Sequence, residues 1–253
     1  MDTAGLVDLT APNEATQSSV LPRRRMTSVP LSPMHKLLDR KYIAAGLAIF
    51  LQLAANISFA QDDATLIKLR IGSGNPIAGM EKSQLCQGCH GEHGESTVGL
   101  IPKLAGQFGN YITKQIREYQ AGIRSHQIMN AMAATIASEE DLADISAYFA
   151  SQPIMKSNGS GNNRIGKELY LRGDTSKMRL ACVNCHGVNG KGMGPNISMF
   201  PVIGGQHTDY LRKQLVEFRD GFRTNSPSGI MNTVAMLLTD AEIEALAEYL
   251  SKR

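Results

Sequence analysis

The sequence predicts an all-α fold made twice, one small helical unit followed by a second of the same design. Three observations carry that expectation. Residues 85–151 return as residues 181–251 with the same motifs in the same order. Apolar residues in both copies recur at the three-to-four spacing of one helix face. Neither copy shows the alternation of a half-buried strand.

Composition adds a constraint. The 253 residues include no Trp, only seven Tyr and seven Phe. Two small units have little from which to build cores unless a bulky apolar group that is not protein helps to fill them. A net charge of +3 with ordinary charged content gives no reason to expect a nucleic-acid binder.

Taken along the chain, residues 1–33 are polar and unpatterned, a disordered tail or a misplaced start. Residues 34–60 have a basic start at Arg40 and Lys41, an apolar run interrupted by Gln52 and Asn56, and the small-x-small ending Ser58-Phe59-Ala60. That is a secretory signal, expected to be cleaved after Ala60. Its uninterrupted apolar part is short for a membrane span. The mature chain divides into residues 61–156 and 157–253.

A short helix should precede the first cysteine of each copy, clearest as "GKELYLRG" in the second. Then come Cys86-Gln-Gly-Cys89-His90 and Cys182-Val-Asn-Cys185-His186, which together hold all four cysteines. Both read C-x-x-C-H, the attachment signature for c-type haem. Two thiols at that spacing each add to one vinyl group of a single porphyrin, and the next His lies beneath the iron. A zinc ribbon needs its two C-x-x-C pairs some 15–20 residues apart, and a thioredoxin-like motif needs a βαβ setting. A disulfide framework, natural for an exported chain, would not call for a His after each pair. Two complete, covalently bound haem c groups are therefore expected.

Pro102 and Pro201 stand where the chain can pass those histidines, and their carbonyls are the expected acceptors for the ring Nδ1–H. A middle helix follows, near 110–120 and 209–220, with Ile112, Ile116 and Tyr119 matched by Leu211, Leu215 and Phe218. A carrier of electrons needs a sixth iron ligand. Met129 and Met231, both in the sequence Ile-Met-Asn, recur at equivalent places, and thioether sulfur is a soft donor suited to low-spin iron. Met132 and His126 compete with Met129. His93 and His207 match Asn189 and Phe108 in the other copy, so both read as surface or haem-edge residues.

The last helix of each copy has its start marked by Ser138 or by the capping box Thr239-Asp-Ala-Glu242. Its apolar stripe is Leu142, Ile145 and Phe149, or Ile243, Leu246 and Leu250. "PIMKSNGSGNN" (153–163) joins the copies and has the composition of a flexible linker.

Tandem C-x-x-C-H units with "PKLAGQ", "GGQHTDYLRKQLVEFRDGFRTN" and a late Met resemble the cytochrome c4 family over about residues 70–253. The resemblance implies two class I cytochrome c domains, each wrapped around a covalent haem, with the two haems near each other across a pseudo-twofold interface. It makes Cys86, Cys89, Cys182 and Cys185 the thioether cysteines, and His90/Met129 and His186/Met231 the axial pairs. One residue more follows Met129 than follows Met231, which leaves the first sixth ligand open. It further implies a periplasmic, monomeric dihaem carrier with no substrate chemistry of its own. Electrons would pass from a quinol-oxidising bc-type complex to a terminal oxidase or reductase. Peripheral membrane association stays open. The alternatives are the dihaem subunit of an oxidoreductase such as flavocytochrome c sulfide dehydrogenase, and a dihaem enzyme, a peroxidase or thiosulfate dehydrogenase. Charge adds its own expectation. Residues 61–152 carry 7 basic and 10 acidic side chains, and residues 153–253 carry 13 and 9, a dipole that would orient the protein at its partners.

Overall fold

A computed structural model describes residues 65, 66, 68–157 and 162–253. The expected tail and signal peptide lie outside them, as do parts of the joining segment. The chain divides into Met1–Leu51, outside the described residues, and Gln52–Arg253, which holds both copies. No helix among the described residues is long and apolar enough to cross a membrane.

The first copy folds as α1 (Pro76–Lys82), α2 (Gln84–His90), α3 (Gly109–Gln120), α4 (Gln127–Ala134) and α5 (Glu139–Ser151). The second repeats them as α6 (Arg164–Arg172), α7 (Val183–His186), α8 (Thr208–Arg219), α9 (Ile230–Met236) and α10 (Asp240–Ser251). Among the described residues the one extended pairing is an isolated bridge between Asp174 and Arg179. The all-α expectation holds in both copies.

Each core is the crossing of the first and last helices of a copy, with the middle helix laid over the last. The crossing is close enough to demand glycine. A Cβ on Gly79 would sit 1.9 Å from the Asp144 carbonyl oxygen, and one on Gly166 would sit 2.0 Å from that of Ala245. The predicted stripes Leu142, Ile145, Phe149 and Ile243, Leu246, Leu250 are all buried, facing Ile112, Ile116 and Tyr119 in one copy and Tyr170 and Leu211 in the other. The Ser138 hydroxyl accepts from Asp141 N–H at 3.0 Å, and the Thr239/Glu242 capping box closes in both directions.

Residues 154–156 depart from the linker expectation. Met155 is completely buried, in a third apolar cluster with Ala105, Phe108 and Val202. Its N–H donates to the Ala105 carbonyl at 3.0 Å. Composition marked the segment as loose, but Ile154 and Met155 are apolar and find a place where the copies meet.

The second copy also carries an anchored turn before its first cysteine. Arg179, with 2% of its side chain exposed, is held by Asp174 at 3.1 Å and Glu242 at 2.9 Å. The Arg179 guanidinium holds the Glu242 carboxyl at about 2. A carboxyl depressed on folding stabilises the protein above its unfolded value, near 4.5, and that contribution disappears as pH falls through about 2. Glu242→Gln leaves Asp174 as the one carboxylate on Arg179, at an expected cost of about 2 kcal/mol for the lost charged hydrogen bonds. Urea unfolding of the holoprotein at pH 7 and pH 3 checks this, because the gap between wild type and variant should narrow at the lower pH. An equal gap at both would show that the ionised form of Glu242 is not what stabilises the turn.

Candidate functional site

Each C-x-x-C-H closes a short helix that ends at its His, with Cys182 at the N-cap of α7. Gly91 (φ 86°) and Gly187 (φ 73°) stop those helices in a left-handed conformation that a side chain would resist. The turn after each His then brings a proline carbonyl back to the ring. His90 Nδ1 lies 2.8 Å from the Pro102 oxygen and His186 Nδ1 lies 3.0 Å from that of Pro201. A carbonyl only accepts, so Nδ1 carries the proton and Nε2 keeps its lone pair. Burial lowers the affinity of both rings for a second proton, and the proline carbonyls only partly offset it. Both histidines are thus neutral donors with Nε2 available, the state a metal ligand needs.

None of the four cysteines is in a disulfide; Cys89 is exposed and the others are half-buried. No group of three or more His, Cys, Asp or Glu side chains among the described residues is placed to hold a metal ion. Beyond each His, the remaining soft donor is Met.

Met129 is half-buried on α4 and packs against the same apolar cluster as Cys86. Its N–H donates to His126 Nδ1 at 3.4 Å, so that ring is exposed and engaged in capping the helix. Met132 is half-buried one turn further on. Met231 holds the matching place on α9, its N–H donating to the Ser226 hydroxyl at 3.1 Å. It is not among the side chains bordering the second cluster, which Cys182 does border. The extra residue of the first copy falls after α4, in 135–137 against 237–238, so it does not displace Met129. The copies differ upstream instead, where 224–230 match 125–128 with three residues more.

The Asn after each Met has a role that the sequence reading did not give it. Asn130 Nδ2 donates to the Tyr119 and Arg124 carbonyls at 2.6 and 3.2 Å. Asn232 Nδ2 donates to those of Phe218 and Arg223 at 2.8 and 2.7 Å. Each fastens its Met-bearing helix to the end of the middle helix.

The two copies meet through bonds that are exchanged. Gln107 accepts from Val202 N–H at 2.9 Å and donates to its carbonyl at 2.8 Å. Gln206 does the same to Lys103, at 2.9 and 3.0 Å. Val202 and Lys103 are equivalent positions, so the contact has the reciprocity of a twofold axis. His207 corrects the surface or haem-edge expectation. It is 7% exposed, its Nε2 2.8 Å from the Ser96 carbonyl of the other copy. Phe108, its counterpart, is fully buried with its ring against Gly192. His93 is exposed, as expected. The signal for this interface was present: Gln107, Tyr111, Gln115 and Arg124 are identical in the second copy without being ligands.

The side chains fit the group that the motif calls for. Cys86 and Met129 border one apolar cluster with Leu104 and Ile136, and Cys182 borders the other with Val183 and Ile203, while the His of each copy has its Nδ1–H fixed by a proline carbonyl.

Comparison with known proteins agrees. The cytochrome c family model matches residues 79–153 and again 164–253. Cytochrome c4 of Thiocapsa roseopersicina is 39% identical over 181 residues, 70% of this chain and 92% of that one. The thiosulfate dehydrogenase electron acceptor of Stutzerimonas stutzeri is 34% identical over 184 residues, covering 70% and 81%. The crystal structure of reduced recombinant cytochrome c4 from Pseudomonas stutzeri superposes with a TM-score of 0.66 at 37% identity, covering 71% of this chain and 98% of that one.

Proposed function

The chain belongs to the cytochrome c4 family of dihaem electron carriers and takes two haem c groups, and on that premise we propose that it carries electrons in the periplasm between a quinol-oxidising bc-type donor and a terminal oxidase or reductase. Two domains, 61–156 and 157–253, each hold one haem. Cys86, Cys89, Cys182 and Cys185 form the thioethers, and His90/Met129 and His186/Met231 ligate the irons. The observation that carries the reading is the duplication of one donor set: a His tied to a proline carbonyl and a Met fastened by an Asn.

Haem iron supplies a one-electron couple, and His/Met ligation sets it higher than two imidazoles would. The chain's own contribution is to keep the donors still. Pro102 and Pro201 hold the imidazole orientation, Asn130 and Asn232 hold the Met-bearing helices, and the buried clusters keep water from the apolar wall. A donor set that does not move between oxidation states leaves little to rearrange when an electron arrives. Leu85 and Leu180, beside the cysteines, are 67% and 57% exposed, an apolar margin suited to brief protein contact.

A second reading is favoured by the thiosulfate dehydrogenase electron acceptor among the relatives: this chain would take electrons from a partner dehydrogenase. Stopped-flow reduction and reoxidation of the holoprotein by purified candidate donors and acceptors separates the two readings. Under the carrier reading both steps are fast, and each slows about threefold to tenfold between roughly 20 and 200 mM salt as the charge dipole is screened. Rates that ignore salt would remove the dipole from the account. Failure with every bc-type donor, alongside rapid reduction by a dehydrogenase, would replace the carrier reading with the second.

A further inference from the structure

Arg124 and Arg223 are each 7% exposed and converge on the same partners. Arg124 donates to Gln115 Oε1 at 2.7 Å, Gln214 Oε1 at 2.8 Å and the Tyr210 hydroxyl at 3.0 Å. Arg223 donates to Gln214 Oε1 at 2.5 Å, Gln115 Oε1 at 3.1 Å and the Tyr111 hydroxyl at 3.0 Å. Each therefore bonds one glutamine of its own copy, and a glutamine and a tyrosine of the other. The rings of Tyr119 and Phe218 lie under the two guanidiniums at 4.8 and 4.4 Å.

The charge of this cluster is not neutralised from within. No carboxylate among the described residues bonds either guanidinium. Glu118 and Glu217 stand one hydrogen bond further out: each pairs with a lysine of its own helix, Lys114 or Lys213, and accepts from the amides that hold the arginines, Gln115 and Asn225 for Glu118 and Gln214 for Glu217, while Arg223 also donates to Asn225 Oδ1 at 2.8 Å. Among the described side chains of this cluster the cations outnumber the carboxylates by two, and the guanidiniums are held by amide and hydroxyl oxygens and by aromatic faces. Buried charge of that kind is costly to keep unless something gains from it. Burial by itself would raise the Tyr210 hydroxyl, yet the two guanidiniums outweigh it and hold that phenol below its ordinary value, a mark of how strong the local field is.

The same two residues reach the Met-bearing helices through their backbones. The Arg124 carbonyl accepts from Asn130 and the Arg223 carbonyl from Asn232, next to Met129 and Met231. One end of each arginine fixes the sixth-ligand loop of its own copy, and the other end grips the middle helix of the other copy.

We propose that Arg124 and Arg223 are positioning residues that couple the two haem sites, tying each Met loop to the opposite copy and placing between them positive charge that favours electron uptake at both. The proposal rests on the assignment of Met129 and Met231 as iron ligands.

The test is a redox titration of the holoprotein, the two haems told apart by the NMR signals of their ligand Met methyl groups. Arg124→Gln should lower both midpoints, each by about tenfold in the equilibrium constant for reduction, or ~59 mV for one electron. Arg124→Lys keeps the charge and loses the fork, and should return most of that shift at both haems. Tyr210→Phe removes one bond to Arg124 and leaves every charge in place, so it folds even if the arginine variant does not. It should shift the first-copy haem in the same direction by less, although the change lies in the second copy. A shift confined to the copy that carries the substitution, or no shift at all, overturns the proposal while the Met signals persist. A wild-type holoprotein without two Met methyl signals would instead overturn the ligand assignment beneath it.

Discussion

Met129→Ala and Met231→Ala should each remove about half of the weak sulfur-to-iron absorbance at the red end of the oxidised spectrum. Each should also lower one midpoint potential by on the order of a tenth of a volt, within the roughly 0.8 V that axial ligation spans. The halving follows from the duplication: two equivalent irons with one thioether each contribute equally, and the loss of one leaves the other intact. The fall in potential follows from losing a soft donor that favours the reduced ion. The first copy is the sharper case, since His126 and Met132 lie on the same short stretch. His126 is exposed, and its Nδ1 accepts from Met129 N–H, whereas Met129 packs against the cluster that Cys86 borders. A Met129→Ala protein with a full band would hand the role to Met132 or His126.

The combined variant Gln107→Ala, Gln206→Ala should weaken the contact between copies by about 6 kcal/mol, roughly 3 kcal/mol for each glutamine. The figure comes from what is stranded. Each side chain bonds one N–H and one carbonyl of the other copy, and it also accepts from the N–H of the residue that follows it, Phe108 or His207. Alanine leaves these buried groups without partners and without room for much water. Urea unfolding followed by two probes, haem absorbance and far-ultraviolet circular dichroism, should change from one transition into two as the copies come apart independently. A single transition at an unchanged midpoint would show that the apolar cluster around Phe108, Met155 and Val202 suffices alone.

The repeat made most of this legible in advance. The helices, the caps at Ser138 and Thr239, and the proline carbonyls behind His90 and His186 all follow from local patterns that appear twice. What was not legible is tertiary. His207 looked like a surface residue because its counterpart is Phe108, and only the packing shows that either ring fills the same kind of slot between copies. Met155 was assigned to a linker by the company it keeps in sequence, since composition cannot see the cavity that it fills. The role of Asn130 and Asn232 needed the end of the middle helix to be brought beside the Met, a contact between segments that no local period encodes. Arg124 and Arg223 were visible as identical pairs, but identity alone did not say that they exchange partners.

The exchange of Gln107 and Gln206 bears on direction. Two perfectly equivalent halves would hold electrons equally well, and such a molecule would have no preferred order of filling. Equivalence is broken at chosen places around the shared axis: Phe108 lies opposite His207, Lys103 opposite Val202, and His126 has no counterpart in the second copy. Because both halves belong to one chain, each of these can change without a matching change in its twin, a freedom denied to a pair of identical subunits. The fused arrangement therefore lets a symmetric scaffold acquire a front and a back.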